Sequence, residues 1–318
     1  MGNNMRTGTS FLTLLTFSIL LVGCRSQHCE IEPRICSPAP KACGNSLLGF
    51  PDFTREESRE SWSKEAFIAR SFAQEFDLYR AITGYKRALF LLPPAYIERR
   101  QQIEYGIILC YYLGEKYNDV VETFEKSSLI DFPPSFPART DLLIILYDAY
   151  QKIGCPEKAD RIQTIICEGD SHLSERLQLS QALLKGNLAY LVDSQYEEPA
   201  VECLVNTYYS QEKSVQRAEF LNAILPGAGY YYVGQKQTAL TSFVINGLFT
   251  AAAYYFFDQG NIAAGLIIAS LEGGWYFGGI KGAGIAAREY NERLYENLAR
   301  EALCKQQLFP ILMIQHTF

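Results

Sequence analysis

The sequence predicts an all-α fold, a helical-repeat solenoid followed by an α-helical membrane hairpin. Three observations carry that expectation. From Trp62 onward apolar residues recur at helical spacing in successive units; residues 239–257 hold no charged side chain; and residues 262–280 hold one, Glu272. Each of the two uncharged runs reaches the roughly 20 residues that a helix needs to cross a bilayer. The organisation read from these patterns is a signal at 1–23, a Cys- and Pro-rich tether at 24–61, helical repeats at 62–215, a membrane-associated hairpin at 220–291, and a C-terminal helix and tail at 292–318.

The chain has 318 residues, 48% hydrophobic and 20% charged, which is the composition of a folded protein. A net charge of -6 with no run of Lys or Arg argues against nucleic acid, whose phosphates call for a basic face.

At the N-terminus Arg6 precedes an apolar run, residues 11–22, that is too short for a comfortable membrane span. The run ends in Leu21-Val22-Gly23-Cys24, and the Gly23-Cys24 junction resembles a bacterial lipobox. That resemblance implies lipid attachment at the Cys24 thiol and removal of residues 1–23. The alternatives are an uncleaved signal anchor, or a signal with an incidental cysteine. Lipidation contributes about 0.8 kcal/mol of membrane affinity per buried methylene.

Residues 24–61 carry Pro33, Pro38, Pro40 and Pro51 among polar residues, the composition of a tether. Cys29, Cys36 and Cys43 are evenly spaced within and just beyond its start, and none of the nine cysteines has a CxxC partner. After export, a disulfide within the tether or to the helical body is expected in preference to a metal site. Cys110, Cys155, Cys167 and Cys203 fall in apolar helical runs and read as small buried hydrophobes.

Within 62–215 the first unit places Phe67, Ile68, Phe72, Phe76 and Tyr79 at helical spacing. A second helix carries Ala81, Ile82, Tyr85, Ala88 and Leu89 and stops at Pro93-Pro94. Ala81, Tyr85, Ala88 and Pro93 resemble the second helix of a tetratricopeptide repeat. Val120, Phe124, Ser127 and Pro133 repeat the pattern approximately, and Ala159 recurs in a third unit from which Gln163 and Ile166 depart. Residues 177–190 and 200–209 are candidates for a fourth pair. The resemblance implies a curved surface for a protein partner. Its register would place Arg70, Gln74, Tyr105, Tyr112, Asp148 and Gln151 on the concave side. The alternative is a compact helical bundle in which these are ordinary residues.

No catalytic constellation stands out. The three histidines, His28, His172 and His316, are scattered, and Gly227, Gly229 and Gly234 are not followed by Gly-Lys-Ser/Thr. The chain is read as non-enzymatic, with no cofactor and no metal.

Pro226-Gly227-x-Gly229, then Tyr232 and Gly234, two apolar helices, and Gly274-Trp275-Tyr276 are similar to the C-terminal membrane module of bacterial tetratricopeptide-repeat proteins. Some of those also carry a membrane-protein insertion efficiency factor domain, whose Pro-Thr-Cys-Ser stretch is absent here. Gly274, Gly278 and Gly282 recur on one helix face, and Gly265, Ala269 and Gly273 on another. Small faces let membrane helices touch closely, so one face can serve the hairpin and the other a second subunit, including a copy of this chain.

Asn246 and Glu272 lie at equal distance from the turn at Asp258, Gln259 and Gly260, and are expected to face each other as a clamp, with an ion or substrate path as the alternative. Flanking Lys236, Lys281, Arg288 and Arg293 favour a cytoplasmic repeat side, whereas the export signal places it outside. Export commits the chain first, so the repeats are expected to be periplasmic, at the bacterial cell envelope. Together these readings predict a membrane-anchored scaffold contacting membrane lipid and an unidentified protein partner. The alternative is a component of transport or membrane-protein insertion machinery.

Overall fold

The computed structural model describes residues 31–38, 50–193 and 199–318. Cys24, the signal at 1–23, Cys29 and Cys43 lie outside the described residues. Within them the chain is all-helical, with no strand. The helices are α1 (Ser61–Gln74), α2 (Leu78–Leu91), α3 (Ile97–Leu113), α4 (Tyr117–Glu125), α5 (Arg139–Lys152), α6 (Pro156–Gly169), α7 (Ser171–Lys185) and α8 (Leu188–Asp193), followed by α9 (Pro199–Gln211), α10 (Val215–Ile224), α11 (Ala228–Val233), α12 (Lys236–Asp258), α13 (Ile262–Lys305) and α14 (Pro310–Met313).

The first eight helices form four successive pairs joined by one kind of turn. In each, a residue with positive φ stands two positions before the second helix: Phe76 (62°), Glu115 (56°), Gly154 (73°) and Gly186 (71°). The next amide bonds back across the turn, Asp77 to Phe72 O at 2.9 Å, Lys116 to Tyr111 O at 2.9 Å, Cys155 to Tyr150 O at 2.9 Å and Asn187 to Ala182 O at 3.0 Å. This is the Schellman arrangement, which satisfies carbonyls that a helix end would otherwise leave unpaired. Each pair then packs on the next, α2 on α3, α4 on α5 and α6 on α7, and the first helices also touch, α1 with α3 and α3 with α5.

One position recurs inside these pairs. Ala81, Val120 and Ala159 are each the fourth residue of α2, α4 and α6, and all three are fully buried. Leu191 holds the same place in α8 and is also buried. The expected helix over 177–190 is instead cut at Gly186, which caps α7.

In the first pair the buried face differs from the one expected. Phe67 is 64% exposed and Tyr79 83% exposed, while Trp62, Ala66, Ala69 and Ala73 form the core side of α1. Close approach explains the reversal. A Cβ on Gly84 of α2 would stand 2.9 Å from the Ala69 Cβ, a separation that only small side chains permit.

The described part of the expected tether is docked on the body. Ile31 and Ile35 pack against the main core, and the Arg34 amide donates to Glu296 Oε1 at 2.7 Å. The cysteine expectation also needs correction. Of Cys110, Cys155, Cys167 and Cys203 only Cys110 is buried; Cys155 is half-buried and Cys167 and Cys203 are exposed, because they fall on the outer faces of α6 and α9.

The Pro226-Gly227-x-Gly229 motif is a packing device. Gly227 has φ 94° and its amide donates to Asn222 Oδ1 at 2.8 Å, turning the chain from α10 into α11. Gly229 lies against Ala218 of α10 and would place a Cβ 2.8 Å from the Ala283 Cβ of α13. The short α11 is thereby wedged between its neighbours around a small core of Ala218, Val233, Ala283, Ala286 and Ala287.

α13 runs for 44 residues without a break at 291, so the expected separate C-terminal helix is the continuation of the hairpin. At about 1.5 Å per residue it is ~65 Å long. Its first part pairs with α12, and its last part buries Tyr295, Ala299 and Leu303 in the main core, where the Tyr295 hydroxyl donates to Leu183 O at 2.9 Å.

Candidate functional site

A cavity of about 280 Å³ lies between α1, α3 and two chain segments from opposite ends of the sequence. Its inner walls are Ala66 and Arg70 of α1, Tyr85 of α2, and Gln102, Ile103, Tyr105 and Leu109 of α3. Residues 50–53 cover one side, and Thr317 and Phe318 close the end.

Residues 50–57 are fixed by one arginine. Arg99 is buried and donates to Glu57 Oε1 and Oε2 at 2.9 and 2.8 Å, to the carbonyls of Pro51 and Asp52 at 2.6 and 2.9 Å, and to Gln102 Oε1 at 2.9 Å. Its guanidinium also lies over the Phe53 ring, 4.9 Å from the centroid. A buried bidentate pair is tolerable because the remaining donors are satisfied. Thr54 and Glu57 add a reciprocal capping box, with the Thr54 amide 2.7 Å from Glu57 Oε2 and the Glu57 amide 3.2 Å from Thr54 Oγ1. Hydrogen bonding to Arg99 holds the Glu57 carboxyl below its ordinary pKa of 4.5.

The other end is fixed by Asp141. Its buried Oδ2 accepts from the amides of Gln315 and His316 at 3.1 and 2.5 Å and lies 2.9 Å from His316 Nδ1. The Tyr105 hydroxyl donates to His316 O at 2.7 Å, so residues 315–318 are strapped across the first helices of two pairs. Burial first, then the nearby Asp141 charge, push the Tyr105 phenol well above its ordinary range.

Of the six residues expected on a concave partner surface, Arg70 and Tyr105 meet in this cavity. Gln74 is exposed at the end of α1, and Gln151 accepts from Lys185 Nζ at 2.9 Å. Tyr105, Tyr112 and Asp148 are buried, contrary to a partner-facing role. The Tyr112 hydroxyl donates to Asp148 Oδ2 at 2.9 Å between α3 and α5, and helix-to-helix packing there removes both from solvent. Burial raises the Asp148 pKa, opposed by Lys152 and the Tyr112 bond. The covering segments, 50–53 and 315–318, were missed because they carry no helical period. Arg99 stands among Glu98, Arg100, Gln101 and Gln102, so nothing in its sequence surroundings marks it as the buried charge that holds them.

In the hairpin the bond expected between Asn246 and Glu272 is not formed. Asn246 is buried, but its Nδ2 donates to Ser242 O on its own helix at 2.6 Å. Asn246 Oδ1 and Glu272 Oε2 are both shielded from solvent and have no hydrogen-bond partner among the described residues. Gly282 packs against the Tyr230 hydroxyl of α11, whereas Gly274 and Gly278 face open space in a groove with Thr238, Thr241, Ser242 and Trp275. Large apolar side chains cover the outside of both helices, among them Leu240, Phe243, Leu248, Leu266, Leu271 and Phe277. Among the described residues α12 alone is long and apolar enough to cross a membrane, and only 17% of its apolar window is buried. The start of α13, expected as a second span, is diluted by glycines and Glu272.

Among the described residues no group of three or more His, Cys, Asp or Glu could hold a metal ion. No family model, curated protein or solved structure matches this chain.

Proposed function

We propose that this chain is a membrane-anchored helical-repeat scaffold of tetratricopeptide-like kind, non-enzymatic, that holds a protein partner at the bacterial cell envelope. The observation that carries the reading is the segregation of surface along α13: one part belongs to a hairpin covered in exposed apolar side chains, and the other is built into the body. Lipid around the hairpin would shield that apolar area, with the lipidated Cys24 as a second attachment. The four identical turns and the shared buried place of Ala81, Val120, Ala159 and Leu191 support a repeat solenoid. Partner contact falls to residues that remain accessible, Gln74 and Gln151 among those expected. The open Gly274 and Gly278 support contact with a second copy through the hairpin.

Affinity purification of the full chain from solubilised membranes tests this. The expected result is a stoichiometric protein partner that is lost from a Gln74→Arg, Gln151→Glu variant; recovery of the chain alone under mild extraction contradicts it. A second reading, a part in transport or membrane insertion, is favoured by the two unpartnered acceptors on Asn246 and Glu272. For that reading a flux or insertion activity would be abolished by Glu272→Gln while assembly stays intact.

A further inference from the structure

The cavity between α1 and α3 lies apart from the hairpin, and the chemistry of its walls can be read from its lining. Phe50, Phe53, Phe67, Ile103, Leu109 and Phe318 make it mainly apolar. Into this surface project three polar groups that have donors to spare. Arg70 is half-buried and has neither a hydrogen-bond nor an ion-pair partner among the described residues. The Tyr85 hydroxyl likewise has none, although its ring is buried against Gly106, where a Cβ would stand 3.0 Å from Tyr85 Cζ. Gln102 uses its Oε1 to accept from Arg99, which leaves its amide NH₂ to donate. Asp52 also lines the cavity, but it is exposed and its carbonyl, not its carboxylate, is committed to Arg99.

One unopposed guanidinium with a phenol and an amide beside it is a donor set for a planar monoanion, because Arg presents a fork that matches two carboxylate oxygens. A phosphate dianion would call for more than one cation. The volume limits the rest of the ligand. An apolar cavity of about 150 Å³ admits benzene, so 280 Å³ takes about twice that, roughly ten to twelve heavy atoms. We infer that this cavity binds a medium-chain monocarboxylate, its carboxylate on Arg70 with Tyr85 and Gln102, and its apolar chain along Phe50, Phe53 and Phe318. The site is independent of the protein partner proposed above and lies in a different part of the molecule from the hairpin.

The test is an NMR titration of carboxyl-¹³C octanoate with the full chain in lipid nanodiscs, with empty nanodiscs subtracting bilayer partition. The expected result is saturable one-to-one binding, with octanol and octylamine at least ~10-fold weaker because neither offers a carboxylate to the guanidinium. Arg70→Gln should weaken octanoate by at least ~10-fold, and Tyr85→Phe, which keeps the ring on Gly106, by about 3- to 10-fold. Neither change should move the thermal midpoint by more than a degree or two, since neither group has a partner to lose; if Arg70→Gln does unfold the chain, the Tyr85→Phe and octanol arms decide. Octanol binding as tightly as octanoate, octanoate affinity unchanged in both variants, or no saturable binding above empty nanodiscs would each overturn the inference.

Discussion

The helical body and the hairpin solve opposite packing problems with the same chain. In the body large side chains such as Trp62, Tyr295, Phe309 and Leu142 are fully buried, and the buried Arg99 is held by a carboxylate and backbone carbonyls. In the hairpin the large side chains point outward, and the buried positions are short side chains, Ala239, Ser242, Asn246 and Ala253 of α12 and Gly265 of α13. Burying large apolar groups is what stabilises a fold in water, at about 25 cal/mol per Å². A surface that inverts this pattern is suited to an apolar surrounding, where small residues allow helices to touch. The comparison teaches that α13 crosses from one regime to the other within a single continuous helix.

The largest effect should come from breaking the body's buried ion pair. Glu57→Gln leaves the buried Arg99 without its counter-ion, and should lower stability by about 3–5 kcal/mol in chemical denaturation while membrane association is unchanged. The same pair predicts a pH dependence. Because the Glu57 pKa is lowered on folding, its contribution is complete above 4.5 and is lost as pH falls through the lower folded value. The acid limb of the stability curve should therefore flatten in Glu57→Gln.

Within the hairpin helix, Gly282→Leu and Gly274→Leu should behave differently in monomeric detergent-solubilised protein. Gly282 is packed against Tyr230, and overfilling it should cost about 1–3 kcal/mol. Gly274 faces open space, so Gly274→Leu should stay within ~0.5 kcal/mol of the parent in thermal unfolding. Equal losses at both positions would show that the open and the packed ends of this glycine face are not distinct.

The smallest effects concern the shared turn. Gly186→Ala combines φ 71° with a Cβ only 2.8 Å from Ile31 O, and should destabilise the body by roughly 1–2 kcal/mol. Glu115, exposed in the same turn at φ 56°, should gain about 0.5–1 kcal/mol when changed to Gly, because the left-handed backbone is strained for a side chain. Opposite signs at equivalent places would sharpen the case that these turns are one device repeated.

These contrasts also mark what could be read from the sequence. The helical class and the common register of Ala81, Val120 and Ala159 follow from spacing alone, since a position that must be small or apolar in every unit repeats with the unit. The face of α1 was misread because Phe67 and Ile68 are more hydrophobic than Ala66 and Ala69, while the packing there selects for size. Leu191 escaped notice because α8 is short and Gly186 interrupts the apolar run before it. Part of the cavity wall was visible, Arg70 and Tyr105, as residues of the first helices of two pairs. The cover at residues 50–53 and 317–318 was not, because Arg99 and Asp141 bring it in over separations that local periodicity does not record.

The central claim is that the hairpin is seated in a membrane on its own account, apart from any lipid on Cys24. The direct measurement is fractionation of the Cys24→Ala chain after an alkaline carbonate wash of the membranes. The account predicts that the chain stays with the membrane pellet, and that it leaves only when Phe243, Leu248 and Leu266 are also changed to Glu. Release of the Cys24→Ala chain into the soluble fraction with its hairpin intact would contradict it.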